Sequence, residues 1–186
     1  MNLLTAGEFQ IDIFSDPDFQ RDSTANVHEY NVVYVNEDGY RSTSAFGIKI
    51  YKEGSLLNSA LIGASGGGTA IHATGMIVES DRLVICCSNS VFCLAIPTLL
   101  LQWKTKADFA TCFEIFKYQS DYIVHGEVEI SRLSADGELL WQHSGADIFV
   151  SPKSNEDDFV VTDNYILATD WDNRKYKFDF EGNAIP

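Results

Sequence analysis

Positive charge is scarce in this sequence. Only 13 lysine and arginine residues stand against 27 aspartate and glutamate residues, so the formal net charge of the 186 residues is −14. Such a chain repels phosphate groups unless one of its faces is locally basic, and because no basic run occurs we expect no nucleic acid partner. Hydrophobic residues make up 45% of the chain, which excludes long disorder, since disorder requires low hydrophobicity together with high charge.

Long apolar runs and cysteines are also scarce. No stretch approaches the roughly 18 apolar residues of a membrane helix, and residues 1–8 lack the basic and apolar regions of a signal peptide. We therefore expect no membrane partner and a cytoplasmic location. Four cysteines in a chain of this length do not form a small disulfide framework, so we expect reduced, mostly buried thiols at Cys86, Cys87, Cys93 and Cys112.

Helix signals are almost absent, whereas strand signals occur throughout. Short runs of Val, Ile, Phe, Tyr and Leu are cut by Asp-Gly, Glu-Gly and Asn-rich turns, which predicts a single all-β domain over residues 1–186. Residues 1–28 differ from the rest, and we expect there one strand over residues 10–14 followed by an irregular connection. The repeat region extends over residues 45–186.

The repeat emerges when the turns are aligned. Each copy is a strand, a tight turn and a short apolar strand that often ends in Trp. Trp103 and Trp141 lie about 40 residues apart and Gly137 and Gly182 about 45, which is the period of four-stranded repeats. The copy around Trp103 lacks the turn glycine. The four copies cover residues 48–57, 91–103, 130–141 and 176–185.

The sequence Asp136-Gly137-Glu138-Leu139-Leu140-Trp141, which closes the third copy, resembles the repeats of β-propellers of the WD40 and quinoprotein type. The resemblance implies about four blade-like antiparallel sheets in a small or incomplete β-propeller. Such propellers usually have six to eight blades, so four copies leave a partial ring, an open stack of sheets or a β-sandwich as alternatives.

A second resemblance lies in the middle of the chain. It is carried by the motifs His125-Gly126-Glu127, Ser131-Arg132-Leu133, Trp141 and Gly145-Ala146-Asp147-Ile148-Phe149. These motifs are similar to a set of uncharacterised bacterial proteins, and proteins of this kind sometimes resemble immunity proteins of toxin systems. This resemblance brings with it no known activity.

Two motifs suggest chemistry, and each has a structural explanation. Residues 63–67 match the G-x-S-x-G pattern around Ser65, but no helix signal follows, so a loop between blades is expected instead of a nucleophile elbow. His125 and Glu127 lie on one face of a strand, about 7 Å apart, and with Asp147 they form a candidate polar cluster that fixes neighbouring blades. No compact ligand pair occurs, so we predict no metal, no cofactor and no catalytic residues.

The acidic surplus leads to a binding hypothesis. An acidic surface attracts a basic partner and speeds its association, and an exposed aromatic residue among acids provides an anchor. We predict a non-enzymatic domain that binds a basic protein, in its most specific form an immunity-type inhibitor of a basic toxin. A structural or ligand-sensing module is the alternative, a hydrolase is less favoured, and homo-oligomers through sheet edges are allowed. The predicted contact residues are Asp157, Asp158, Asp170, Trp171 and Asp172.

Overall fold

A computed structural model describes residues 4–35, 41–150 and 159–186, which form four β-sheets. The strands of the first sheet are β1 (Leu4–Ala6), β2 (Phe9–Ser15), β3 (Val32–Tyr34), β4 (Ser44–Lys52) and β5 (Ser55–Ala64). The second sheet contains β6 (Met76–Val78), β7 (Arg82–Cys87), β8 (Ser90–Ala95) and β9 (Leu101–Lys106), preceded by a short 3-10 helix, Ala73–Gly75. The third contains β10 (Cys112–Tyr118), β11 (Asp121–Gly126), β12 (Glu129–Leu133) and β13 (Leu139–Ser144), and the fourth β14 (Phe159–Val161), β15 (Ile166–Thr169) and β16 (Lys175–Phe178).

Each sheet is a meander in which strands consecutive along the chain pair antiparallel, and we call the four sheets blades 1 to 4. The exception is β3, which adds to the outer edge of blade 1 by pairing parallel to β5. The prediction of an all-β chain with about four blade-like sheets is confirmed. No helix in the described part of the chain is long and apolar enough to cross a membrane.

The core lies between the blades. A strand that is buried on both faces needs apolar residues at every position, and β7 is one: Leu83 and Ile85 face blade 1, whereas Val84 and Cys86 face blade 3. Three hydrophobic clusters join blade 1 to 2, blade 2 to 3 and blade 3 to 4. All four cysteines are free and buried, as the sequence predicts.

The turn between the third and fourth strands repeats from blade to blade. Gly137 and Gly182 adopt φ angles of 82° and 87°, in the left-handed region that favours glycine. In the copy without glycine, Leu99 takes this conformation with φ 58° and is fully buried. The fourth strand then begins with exposed leucines, although an apolar strand would be expected to lie in the core. These leucines are Leu56, Leu57, Leu100, Leu101, Leu139 and Leu140.

The N-terminal segment differs from its prediction. Residues 4–15 form a hairpin of two strands, β1 and β2, and β2 pairs with β4 along its whole length, so blade 1 begins at Leu4 and not near residue 45. The following segment, 16–31, covers the face of blade 1 that points away from blade 2. Its Tyr30 and the neighbouring Phe14 pack over Gly47, where a side chain would collide with both rings.

Antiparallel pairing gives the blades two distinct ends. The turns between second and third strands lie at the same end as the connections that link one blade to the next. We call this the connection end; its described residues between blades and within blades 2 to 4 are 65–75, 88–89, 107–111, 127–128, 145–149 and 170–174.

Candidate protein-binding face

The connection end carries most of the side chains that the sequence singles out. His125 and Glu127 lie at the turn between β11 and β12, Asp147 in the connection from blade 3 to blade 4, and Trp171 in the turn between β15 and β16. Asp157 and Asp158 lie outside the described residues. The convergence follows from topology, since these residues are far apart in sequence and meet only because the turns of adjacent blades share one end.

His125 is buried and ties three segments together. Its Nδ1 lies 3.0 Å from Glu114 Oε2 on β10, and its Nε2 lies 3.0 Å from the carbonyl oxygen of Phe149. The imidazole also stacks on the ring of Phe159, with ring centroids 4.4 Å apart. The hydrogen bond from His125 holds the pKa of Glu114 below its ordinary value. This network joins blade 3 to the connection that leads into blade 4.

Glu127 and Asp147 do not share the contacts of His125. Glu127 accepts a hydrogen bond of 2.8 Å from the Thr111 hydroxyl, whereas Asp147 is exposed and accepts one from the amide of Ile148. The predicted polar cluster is therefore three separate contacts at one end of the molecule. In the described part of the chain no group of three or more His, Cys, Asp and Glu residues is placed to hold a metal ion.

Asp170 is not an exposed contact residue, which corrects the sequence-based expectation. Its carboxylate is buried and accepts hydrogen bonds from the amide of Arg174 at 2.8 Å and the hydroxyl of Tyr176 at 2.8 Å. Burial alone would raise the pKa of Asp170, but these bonds and the Arg174 guanidinium outweigh it and lower the pKa. Asp170 shapes the turn, because a carboxylate that accepts from a main-chain amide fixes a loop.

The neighbours of Asp170 are exposed, as predicted. Trp171 is 46% exposed, and its amide donates a 2.8 Å hydrogen bond to the carbonyl of Ile148. Asp172 is also exposed and accepts a 2.7 Å bond from Arg174 Nη2. Asp170 thus holds a turn that presents an indole ring and a carboxylate to solvent.

The sequence analysis missed a second aromatic residue on this end, Phe109. It is 71% exposed, and the ammonium of Lys106 lies 4.9 Å from the centre of its ring. The residue before it, Asp108, is almost fully buried. The signal that could have revealed this pair is the recurrence of Ala107-Asp108-Phe109 as Ala146-Asp147-Ile148 in the next connection between blades.

Asp108 anchors the connection that carries Phe109. Its Oδ1 accepts from the amides of Ala110 and Thr111 at 2.6 and 2.8 Å, and its Oδ2 accepts from the amides of Val128 and Glu129 at 3.0 and 2.7 Å. These bonds favour the carboxylate, yet burial raises the pKa of Asp108 overall. Burial and the nearby Asp108 also raise the pKa of Glu129.

A small cavity of about 210 Å³ lies beside this anchor. It is lined by Lys106, Asp108, Phe109, Glu129 and Gln142. Ligand pockets for small molecules usually start at about 300 Å³, so this cavity is smaller than a usual small-molecule site.

The glycine-rich segment at residues 63–68 lies at the same end and is packed. Gly66 adopts φ 119°, and the amide of Gly67 donates a 2.8 Å hydrogen bond to the carbonyl of Ala110. A side chain at Gly67 would collide with Thr111. Ser65 is followed by an extended loop and not by a helix, which agrees with the prediction that the G-x-S-x-G match is not a nucleophile elbow.

Comparisons with known proteins identify the fold. No protein-family model and no curated protein sequence matches the chain. Among solved structures, BamB from Moraxella catarrhalis is similar with a TM-score of 0.51 and 18% identity over 75% of this chain and 42% of that one. The computationally designed Ika8 protein has a TM-score of 0.52 and 9% identity, over 82% of this chain and 51% of that one. The computationally designed Ika4 protein has a TM-score of 0.50 and 14% identity, over 78% of this chain and 96% of that one.

The chain thus spans about half the length of Ika8 and less than half of BamB. Identities of this size show the fold alone. The four blade-like sheets and their likeness to propeller proteins make this chain an all-β protein with a β-propeller-like fold.

Proposed function

We propose that this chain is a non-enzymatic protein-binding domain whose connection end binds a basic protein, in its most specific form an immunity-type inhibitor of a basic toxin. The observation that carries the proposal is the exposure of two aromatic rings at the connection end, Phe109 in the link from blade 2 to blade 3 and Trp171 in the turn between β15 and β16. Large exposed aromatic side chains are the residues most often found at the energetic centre of protein interfaces.

Both rings project from backbone that is already fixed. Asp108 accepts four main-chain hydrogen bonds, two from the residues that follow Phe109 and two from residues 128 and 129. Asp170 together with the Ile148 carbonyl fixes the turn of Trp171. A partner that binds here pays little ordering entropy in the main chain, which favours affinity.

The charge around the rings selects the partner. Asp147 and Asp172 are exposed, and Glu129 is half-buried at the cavity beside Phe109. Lys106 and Arg174 offset part of this charge, but the whole chain carries −14. A negative field steers a basic protein toward the face and disfavours acidic competitors.

The titratable groups at this end support a role without catalysis. Both imidazole nitrogens of His125 are engaged, by Glu114 and by the Phe149 carbonyl, so no nitrogen remains for proton transfer to a substrate. Asp108 and Asp170 are occupied by main-chain amides in the same way.

The test begins with capture of partners from the source cell's lysate at low and high salt, followed by affinity measurement on the captured protein. We expect a single basic protein that is released by salt. Phe109→Ala should weaken its binding at least about 30-fold, because truncation of a hot-spot residue costs roughly 2 kcal/mol or more. Asp172→Lys should slow association, most clearly at low salt.

The matched control is Leu140→Ala, which removes a comparably exposed apolar side chain from the opposite end of the blades. This variant should bind the partner with a Kd within about twofold of the parent value, which is well short of a tenfold change. If Phe109→Ala and Asp172→Lys changed affinity and association rate no more than Leu140→Ala does, the assignment of the connection end as the binding face would be wrong. If no basic protein were retained, the function would be wrong.

A further inference from the structure

Blade 4 has a face that no described blade covers. The three core clusters account for the junctions between consecutive blades, and among the described residues no core cluster, hydrogen bond or ion pair connects blade 4 with blade 1. The second strand of blades 2 and 3 turns a fully buried residue toward the next blade, Val84 and Ile123 respectively. Leu167 takes this place in blade 4 and is only partly buried.

The open face of blade 4 is basic. Leu167 lies opposite Lys177 and Thr169 opposite Lys175 in the pairing of β15 with β16, so both lysines share the face of Leu167. The corresponding strand of blade 2 turns Val91 and Cys93 toward its neighbour. Lys175 is exposed, whereas the Lys177 ammonium donates a 3.1 Å hydrogen bond to the Pro186 carbonyl and lies 4.5 Å from the centre of the Tyr165 ring. Lysines at this face disfavour burial against another apolar sheet and suit a surface of opposite charge.

The other end of the row of blades is acidic. The face of blade 1 that points away from blade 2 is covered by segment 16–31, where Asp18, Asp22 and Glu29 are exposed. Arg41 pairs with Asp18 at 3.0 Å. Segment 16–31 itself holds four carboxylates against one arginine, the exposed Arg21 next to Asp22, so its surface keeps an acidic excess. Val27, 86% exposed, stands between Asp22 and Glu29 in the chain and offers an apolar contact.

We infer that two copies of this chain associate head to tail, with the basic face of blade 4 in one copy docked on the acidic face of blade 1 in the other. The partner is fixed by charge: two blade 4 faces would bring lysines together, and two blade 1 faces would bring carboxylates together. A head-to-tail contact closes with two copies when each copy spans half of the ring. This chain covers 42% of BamB and 51% of Ika8, so each of these two similar chains is about twice as long as the part that matches this chain.

The experiment uses two charge reversals, each made in the full chain. Lys175→Glu with Lys177→Glu makes the blade 4 face acidic, and Asp22→Lys with Glu29→Lys makes the blade 1 face basic. Light scattering coupled to size exclusion reports mass, and circular dichroism confirms that each variant is folded. Lys52→Glu with Lys104→Glu is the control, because it changes the net charge by as much as the blade 4 reversal does, at residues outside both faces.

We expect the parent chain and the control to have twice the monomer mass of 20.7 kDa. Each reversal alone should be monomeric, since like charges then meet. An equimolar mixture of the two reversals should restore the dimer, because both contacts between unlike copies regain opposite charges.

A folded parent chain that stays monomeric at its solubility limit would overturn the inference, as would a mixture that stays monomeric. Species larger than a dimer would contradict the closed pair. These outcomes do not touch the connection end, so this inference and the proposed function fail separately.

Discussion

The indole nitrogen of Trp103 lies 3.1 Å from the carbonyl oxygen of Ala135 and joins the outer strand of blade 2 to a turn of blade 3. The same contact recurs at the other two junctions. In each case the donor side chain belongs to the residue that follows a β-bulge in the outer strand. The acceptor is the carbonyl oxygen of the residue two positions before the one with positive φ in the turn of the next blade. The other pairs are Asn58 with Pro97 at 3.0 Å and Trp141 with Phe180 at 2.9 Å.

Replacement of Trp103 by Phe tests this contact. The variant keeps an aromatic ring over Gly137 but removes the donor, and we expect the free energy of unfolding to fall by about 1 kcal/mol, the net value of one hydrogen bond. The loss is small because Ala135 still accepts a bond from Arg82. Urea unfolding provides the measurement, with the exposed Trp171→Phe as control; equal stability of both variants would contradict a role for the indole nitrogen.

Gly137→Ala tests the turn. The φ angle of 82° opposes a side chain, and a Cβ there would collide with the Trp103 ring. We expect destabilisation beyond the roughly 1 kcal/mol that a strained backbone costs alone. Gly7→Ala is the matched control, because Gly7 has φ 57° and open space around it. If thermal unfolding gave both variants the same loss, the collision with Trp103 would contribute nothing.

Asp108→Asn tests the anchor of Phe109. The amide is nearly isosteric but places an NH₂ group against two main-chain donors, so we expect a loss of about 2 to 3 kcal/mol in the free energy of unfolding. The comparison is Asp147→Asn, at an exposed carboxylate with a single main-chain bond. A loss at Asp108 no larger than at Asp147 would contradict the anchoring role.

The Glu114–His125 contact predicts a pH dependence. The folded-state pKa of Glu114 is lowered, so the folded state binds its proton less readily than the unfolded chain does. The contact therefore stabilises the fold above the ordinary pKa of Glu, about 4.3, and this stabilisation disappears as the pH falls through the folded-state value.

The free energy of unfolding should be measured between pH 3 and pH 7, because this interval includes the ordinary Glu pKa of about 4.3. The stabilisation by the Glu114–His125 contact should be present at pH 7 and should decrease toward pH 3. Glu114→Gln should be less stable than the parent at neutral pH and approach it at the acidic limit. Glu138→Gln, at an exposed residue with no ion pair among the described residues, should run parallel to the parent. A constant difference between Glu114→Gln and the parent would argue against the ionised contact.

The cysteines should be unreactive in the folded protein. Burial raises the pKa of Cys93 to about 11 and that of Cys87 to about 12, and it also raises those of Cys86 and Cys112. Since the thiolate is the reactive form, a disulfide reagent at pH 8, well below these values, should label none of them until denaturant is added. Rapid labelling of the folded protein would show that a blade opens readily.

The repeat was visible in sequence because each copy has to solve the same local problem. A tight turn requires a left-handed residue, and Gly137 and Gly182 mark it. Blade 1 was predicted incompletely, since its strands lie before and after a long insertion and only β4 and β5 carry the repeat pattern. The pairing of β2 with β4 depends on contacts between residues that are far apart in sequence, and a local sequence pattern does not predict such contacts.

The candidate site was predicted in part. Trp171 and Asp172 are exposed as expected, whereas Asp170 turned inward because Arg174 and Tyr176 supply its hydrogen bonds. Neighbouring acids look alike in sequence, and only the conformation of the turn decides which one points outward. Phe109 was missed for the same reason, because residue type alone does not show whether a phenylalanine is exposed or buried.

Composition and pattern alone determined the all-β class, the number of repeats, the buried thiols and the acidic surface, because these depend on residue type and on local spacing. Tertiary structure decided which ends of the strands lie together, which carboxylates are buried and which sheet faces stay open. Those properties depend on the packing of segments far apart in the chain, where hydrogen-bond partners and apolar surfaces meet only after the blades have formed.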